Sequence, residues 1–320
     1  MSVGTGRAAV AIGGGTGLPQ VLRSLVDLDF ATSAIVTMAD DGGSSGVLRR
    51  QLGILPPGDV RNCLAALASD EDSAMARVFQ YRFPEGEGLA GHSLGNLILA
   101  ALTDITGDFA EAVVVASGYL HARGTVLPST LLNVELHGID RAGVEISGQA
   151  LLAANPTAVD RVFLEPASPP AYPPALEAIE DADVVVVGPG SLYTSVIPNL
   201  LVAGIADALR SSHAHRAYIC NVANLRGETS GLDAADHVEA LMAHGLAGAI
   251  DTVIVHAGAC APDVVCDYDY DVEPVVAGSR QVERIEALGV RAVMADLADP
   301  GDPARHARDA LARVLEEVLA

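Results

Sequence analysis

Short apolar runs alternate with amphipathic stretches along most of this chain. Ala8 to Ile12 is an unbroken apolar run of strand length, and from about Leu18 to Val26 apolar residues recur at helical spacing. Ala34 to Thr37 reads as a second strand. Helical periodicity then dominates from Val60 to about Tyr119, broken by a Gly-rich stretch near Gly86 to Gly95. Thr125 to Leu164 holds short strand-like pieces, which predict a sheet extension or a small subdomain. Glu165 to Pro174 is Pro-rich and predicts a loop or hinge. The alternation then resumes, with strands at Val184–Val187, Ala217–Cys220, Thr252–Val255 and Val290–Met294 and a last helix from about Pro303 to Leu319. Strands separated by helices call for right-handed crossovers and a parallel sheet. The predicted class is α/β: a doubly wound, mostly parallel, Rossmann-like sheet with a helical insertion and a short middle β section. The length, 320 residues, fits one large domain or two lobes joined near 165–174.

Composition narrows the chemistry. No apolar run approaches the roughly 20 residues needed to span a bilayer, and the first residues lack the pattern of a secretory leader. The four cysteines, Cys63, Cys220, Cys260 and Cys266, show no C-x-x-C spacing, which argues against a zinc site or a disulfide framework. A cytoplasmic location is expected. The net charge of −22 repels a phosphate backbone, so nucleic acid and anionic membranes are poor partners. There is no lysine; all 19 basic residues are arginine. That removes a Walker-type lysine, a Schiff base and a lysine general base. Any phosphate falls to arginine, to backbone N–H groups or to a metal ion. Trp is absent, so base stacking falls to Tyr or Phe.

Gly13-Gly14-Gly15-Thr16-Gly17 follows a strand and opens a helix, where a phosphate meets exposed N–H groups and the positive end of the helix dipole. Leu18 stands where a dinucleotide fingerprint needs its third glycine, which weakens a nicotinamide-cofactor reading. A tight turn alone explains fewer glycines than are present. Asp40-Asp41, followed by Gly42-Gly43-Ser44-Ser45-Gly46, sits at the carboxyl end of the second strand, the edge that faces a ligand crevice. These carboxylates could accept sugar hydroxyls or hold Mg²⁺ through water; a helix cap is the bland alternative. In Pro56-Pro57-Gly58-Asp59-Val60-Arg61-Asn62, Asp59 is either an N-cap or a ligand contact. Arg61 and Asn62 could point at a phosphate or a sugar.

Gly91-His92-Ser93-Leu94-Gly95 matches the nucleophile elbow of esterases, but the preceding residues carry Pro84, Gly86 and Gly88 and cannot form the required strand. His92, Ser93, Gly95 and Asn96 are expected instead to open the next helix near the ligand. The run Val184–Val187 leads into Gly188-Pro189-Gly190-Ser191 and then a helix near Pro198-Asn199, a second strand-to-loop junction. His213, His215, His237 and His244 lack ligand spacing and read as surface residues.

Together these runs resemble the YvcK family of gluconeogenesis factors. The likeness extends through Gly188 to Ser195 and to Arg305-His306, and covers nearly the whole chain. That family shares the fold of the CofD phospholactyl transferases, which typically carry a lysine after the first loop; this chain has Gln20 and Arg23 there. The resemblance implies binding of a UDP-sugar, notably UDP-N-acetylglucosamine, and a role in cell shape and cell-wall precursor supply on gluconeogenic carbon. It implies ligand contacts at Gly13–Gly17, Asp40, Asp41, Ser44, Ser45, Asp59, Arg61, Asn62, His92, Ser93, Asn96, Gly188, Gly190, Ser191, Asn199 and Asn221. No catalytic residue or dedicated metal ligand is assigned, and Mg²⁺ is the one metal in view. Tyr268 is expected to stack on the uracil or pack by it, with Tyr270 as the alternative, and Arg305, at the start of the last helix, to pair with the diphosphate or the sugar side. Ala223-Asn224-Leu225-Arg226 replaces a Met-Thr-Gln-Pro run common in the family, and Ala307 replaces an Asp. A protein partner in precursor metabolism and a homo-oligomer are expected. The alternative function is a Mg²⁺-dependent transferase acting on a nucleotide-diphosphate donor.

Overall fold

The computed structural model describes residues 6–225, 227–258 and 272–319. Seven strands form one sheet: β1 (Ala8–Gly13), β2 (Ala31–Val36), β3 (Gly124–Pro128), β4 (Val184–Val187), β5 (His215–Ile219), β6 (Thr252–His256) and β7 (Arg291–Ala295). Their order is β7-β6-β5-β4-β1-β2-β3, and all six pairings are parallel. The expected doubly wound parallel sheet is therefore present. The chain leaves β1 toward β2 on one side and returns through β4 on the other, so the order reverses between β1 and β4. Ligand crevices of open α/β sheets lie at such a reversal, beyond the carboxyl ends of the strands.

The strand sequences follow from double burial. Helices cover both faces, so β4 is four consecutive valines, each 0% exposed, rather than an alternating pattern. Helix α1 (Leu18–Asp27) lays Leu18, Val21, Leu22 and Leu25, all fully buried, against the sheet and the last helix, Arg308–Leu319. Each such side chain contributes about 1.5–3 kcal/mol of burial. The helical insertion comprises α2 (Gly43–Leu52), α3 (Gly58–Ala66), α4 (Ala74–Gln80), α5 (Leu94–Thr106) and α6 (Phe109–Leu120). The middle β section divides: Gly124–Pro128 extends the main sheet, while Glu135–Asp140, Glu145–Ser147 and Val159–Glu165 form a separate antiparallel sheet.

Two expectations are corrected. The last helix begins at Arg308, because Asp302–His306 pairs antiparallel with Ala298–Asp299 as a short hairpin; Arg305 is on a strand and opens no helix. His237 is fully buried, its Nε2 2.8 Å from Asn224 Oδ1, rather than a surface residue. His215 and His244 are half-buried, and of the four only His213 is exposed. No helix among the described residues is long and apolar enough to cross a membrane.

Candidate functional site

The register of β1 on β4 places Ile12 opposite Val187, so the loops Gly13–Gly17 and Gly188–Ser191 leave the sheet side by side. Their contact gives several glycines a packing role. A Cβ on Gly17 would lie 2.6 Å from the Pro189 carbonyl oxygen, and one on Gly14 would lie 2.6 Å from Asp59 Oδ2. Gly15 has φ +66°, a left-handed conformation that side chains resist. These glycines thus serve the close approach of the second loop at Gly17 and of Asp59 at Gly14, whether or not a phosphate lies on the loop. Asn199, 0% exposed, stitches the seam: its Nδ2 donates to the carbonyls of Gly13 (3.1 Å) and Ser195 (2.9 Å).

Asp59 lies in the first turn of α3, whose N-cap position is Pro57, and instead reaches the first loop. Its Oδ2 accepts the Gly15 N–H at 2.8 Å. Asp40 accepts the Gly42 N–H at 3.0 Å and is also hydrogen-bonded by Ser45, whose Oγ accepts the Gly58 N–H at 3.1 Å. Burial, followed by the negative charge of Asp40, pushes the Asp59 carboxyl up to about 6. Burial likewise raises Asp40. Asp41 serves another element: it accepts the N–H groups of Gln149 (3.1 Å) and Ala150 (2.8 Å), opening the helix Gln149–Ala153.

A polar chain runs through the helical layer behind these aspartates. His92 Nδ1 bonds Ser44 Oγ (2.9 Å), Asn96 Nδ2 donates to the same oxygen (3.1 Å), and Arg61 Nε donates to Asn96 Oδ1 (3.0 Å). Arg61 continues to Gln80 Oε1. At 6% exposure its guanidinium rests on two neutral amide oxygens, and burial, then Arg82, pull its pKa down to about 10. Asn62, the next residue of α3, is half-buried. Ser93 holds the N-cap position of α5, but its Oγ donates to Phe79 O at 3.2 Å and is buried, so no side-chain cap forms. Among the described residues its strand-like pairing is an isolated bridge to Arg82. A nucleophile elbow is thus absent at Ser93. Ser93→Ala is expected to leave hydrolysis of a p-nitrophenyl ester unchanged at background; activity lost in the variant would contradict this.

Open space lies on the other side of the seam, in a cleft of about 310 Å³. Of the expected residues, Thr16, Gly17, Gly190, Ser191, Asn221 and Arg305 line it. Asn221 Oδ1 accepts the Gly190 N–H at 3.4 Å. No side chain caps the N-terminus of α1. Arg305 Nε pairs with Asp302 at 2.9 Å. The expected residues therefore fall into two groups, one along the cleft and one in the buried aspartate and Ser-Asn-Arg network, with Asp59 and the first loop between them. Tyr268 lies outside the described residues.

Comparison with known proteins places this arrangement. Residues 9–298 match the family model described as 2-phospho-L-lactate transferase CofD. A gluconeogenesis factor of Halalkalibacterium halodurans is 47% identical over 282 residues, covering 88% of this chain and 86% of that protein. The Bacillus subtilis gluconeogenesis factor is 46% identical, covering 87% of each. The chain belongs to the CofD-like family. A crystal structure of a Bacillus halodurans protein superposes with a TM-score of 0.92 at 43% identity, covering 99% of this chain and 100% of that one.

Gln20, His306 and Glu228 also line this CofD-like cleft, and nothing in the sequence assigns them a contact there. Gln20 lines it one turn into α1, and His306 lines it from the 302–306 hairpin, Nε2 bonded to the Cys220 carbonyl at 3.0 Å. That bond puts the proton on Nε2, and burial holds the imidazole neutral, its pKa down to about 4. The third is Glu228, 5% exposed. Its position in Gly227-Glu228-Thr229 was visible in the sequence, but an isolated Glu after an irregular loop gives no signal of burial.

Proposed function

We propose that the cleft binds a UDP-sugar, with UDP-N-acetylglucosamine as the expected ligand, and that the protein acts as a regulator of cell-wall precursor supply and cell shape during gluconeogenic growth. The observation that carries this reading is the cleft itself. It sits where the strand order reverses, between two Gly loops, beside an uncapped helix N-terminus and Arg305. Backbone N–H groups and one arginine suit a diphosphate in a chain without lysine. The name gluconeogenesis factor borne by its relatives supports the physiological part.

UDP-N-acetylglucosamine at 100 times its Kd is expected to stabilise the fold by about 2.7 kcal/mol. NAD is expected to give a smaller shift in the same thermal-melt series. Equal shifts from both, or none, would sink the reading.

A Mg²⁺-dependent transfer of a phospho-linked group is the second reading. It is favoured by the match to the transferase family model and by the paired Asp40 and Asp59 at the first loop. Among the described residues no group of three His, Cys, Asp or Glu is suited to a metal ion. Two carboxylates completed by phosphate oxygens and water are nevertheless how Mg²⁺ is commonly held. Asp40 and Asp59 would hold it, and the ion would supply charge neutralisation on the phosphates. Product formed from a nucleotide-diphosphate donor only when Mg²⁺ is present would favour this reading over the first.

A further inference from the structure

The cleft contains an unusual wall. Glu228 is 95% buried by its 5% exposure, yet it is one of the residues that line the cleft. Oε1 accepts the N–H groups of Tyr193 (2.6 Å) and Thr194 (3.2 Å), and Oε2 accepts the Thr194 hydroxyl at 2.9 Å. Those amides open the turn that follows the second Gly loop. In the sequence that junction is a second strand-to-loop junction beside the first; in the fold the Tyr193 and Thr194 N–H groups just after its loop are already taken by an anion of the protein itself. Burial raises the Glu228 carboxyl above its ordinary value, and the three hydrogen bonds from Tyr193 and Thr194 oppose that rise. A carboxylate has about four lone-pair sites, so Oε2 keeps one for a further donor.

From this placement we infer that Glu228 is a specificity determinant: it accepts a hydroxyl of a neutral hexose in the cleft and repels a hexose that carries its own carboxylate. The inference rests on the UDP-sugar reading and adds to it which sugar class is admitted. A like charge in a confined site is penalised far more than in water, whereas a hydroxyl satisfies the spare lone pair. The diphosphate then belongs toward the first loop and Arg305, and the neutral sugar toward Glu228.

UDP-glucose and UDP-glucuronate differ only at C6, a hydroxymethyl against a carboxylate, and titration calorimetry of both on the full chain tests the proposal. Wild type is expected to bind UDP-glucose at least about tenfold tighter, in keeping with the cost of like-charge juxtaposition. Glu228→Gln keeps an acceptor for the two amides and removes the charge; it is expected to bring the two affinities within about threefold, chiefly by tightening UDP-glucuronate. Glu228→Asp, which keeps the charge, is expected to retain discrimination. Failure of both nucleotides to bind wild type would overturn the UDP-sugar reading itself. Binding of both with equal affinity would leave that reading standing and overturn the role of Glu228, as would an unchanged ratio in Glu228→Gln. If the Gln variant does not fold, equal wild-type affinities still overturn the role of Glu228, and loss of discrimination in the charge-keeping Glu228→Asp would count against it as well.

Discussion

Gly46→Ala is expected to destabilise the protein by about 3 kcal/mol or more, the upper end of what overpacking costs. A Cβ at Gly46 would stand 1.8 Å from the Asp41 carbonyl oxygen and 2.5 Å from its carbonyl carbon. Neither atom is the tip of a flexible side chain, so the backbone between Asp41 and Gly46 must move. That segment opens α2, where the Gly46 N–H bonds the Gly42 carbonyl at 2.9 Å. Moving it disturbs three attachments together: Asp41 on the helix Gln149–Ala153, Ser44 on His92 and Asn96, and Ser45 under Gly58. Gly43→Ala is the control. Its φ is +45° but its Cβ meets nothing within 4 Å, so only the left-handed backbone is penalised, by about 1–2 kcal/mol. Urea unfolding of the two variants measures the difference. A Gly46→Ala cost no larger than that of Gly43→Ala would show that the segment yields freely.

The same segment shows where sequence reading reaches its limit. The alternation of apolar runs and helical stretches defines the sheet because doubly buried strands must be apolar throughout, as Val184–Val187 are. The two Gly loops are legible for a related reason: glycine at close backbone contacts leaves a local mark. Helix α2 left none, because Gly43-Ser44-Ser45-Gly46 has poor helix propensity and the helix is held by packing and by Ser45 under Gly58. Pro303-Ala304-Arg305-His306 continues the composition of the helix after it, and a hairpin in which Ala298 pairs with His306 and Asp299 with Asp302 is too short to show strand alternation in the sequence. The sequence around Asp59 admits an N-cap or a ligand contact; that it holds the Gly15 N–H, 44 residues away, follows only from the fold. Burial of Glu228 is likewise invisible in a residue type that usually lies at the surface, and that of His237 in a type found in both places.

Asp59→Asn is expected to stabilise the protein at pH 8, by up to about 3 kcal/mol. The carboxyl has an ordinary value of 3.8 and is raised to about 6 in the folded chain, by burial first and by Asp40 second. At about 1.4 kcal/mol per unit, that interval sets the ceiling on the effect. The sign follows from proton counting. Between pH 3.8 and about 6 the folded state holds the proton and the unfolded state has lost it. Stability contributed by this group therefore falls as pH rises across that window, and stays low above it. Asparagine still offers an oxygen to the Gly15 N–H and carries no charge, so the variant lacks this fall. Unfolding free energies of the two proteins should then nearly coincide at pH 4 and diverge steadily to pH 8. A variant less stable than wild type at pH 8, or a difference independent of pH, would show that Asp59 is not held against its own charge. A carboxylate kept at such a cost beside the first Gly loop is the kind of group a protein retains for a ligand rather than for stability. The stabilised variant is accordingly expected to lose affinity for a Mg²⁺-bound nucleotide diphosphate if Asp59 and Asp40 hold the ion. If the diphosphate rests on the first loop and Arg305 alone, the variant keeps its affinity for the metal-free UDP-sugar, so one protein separates the two readings of the site.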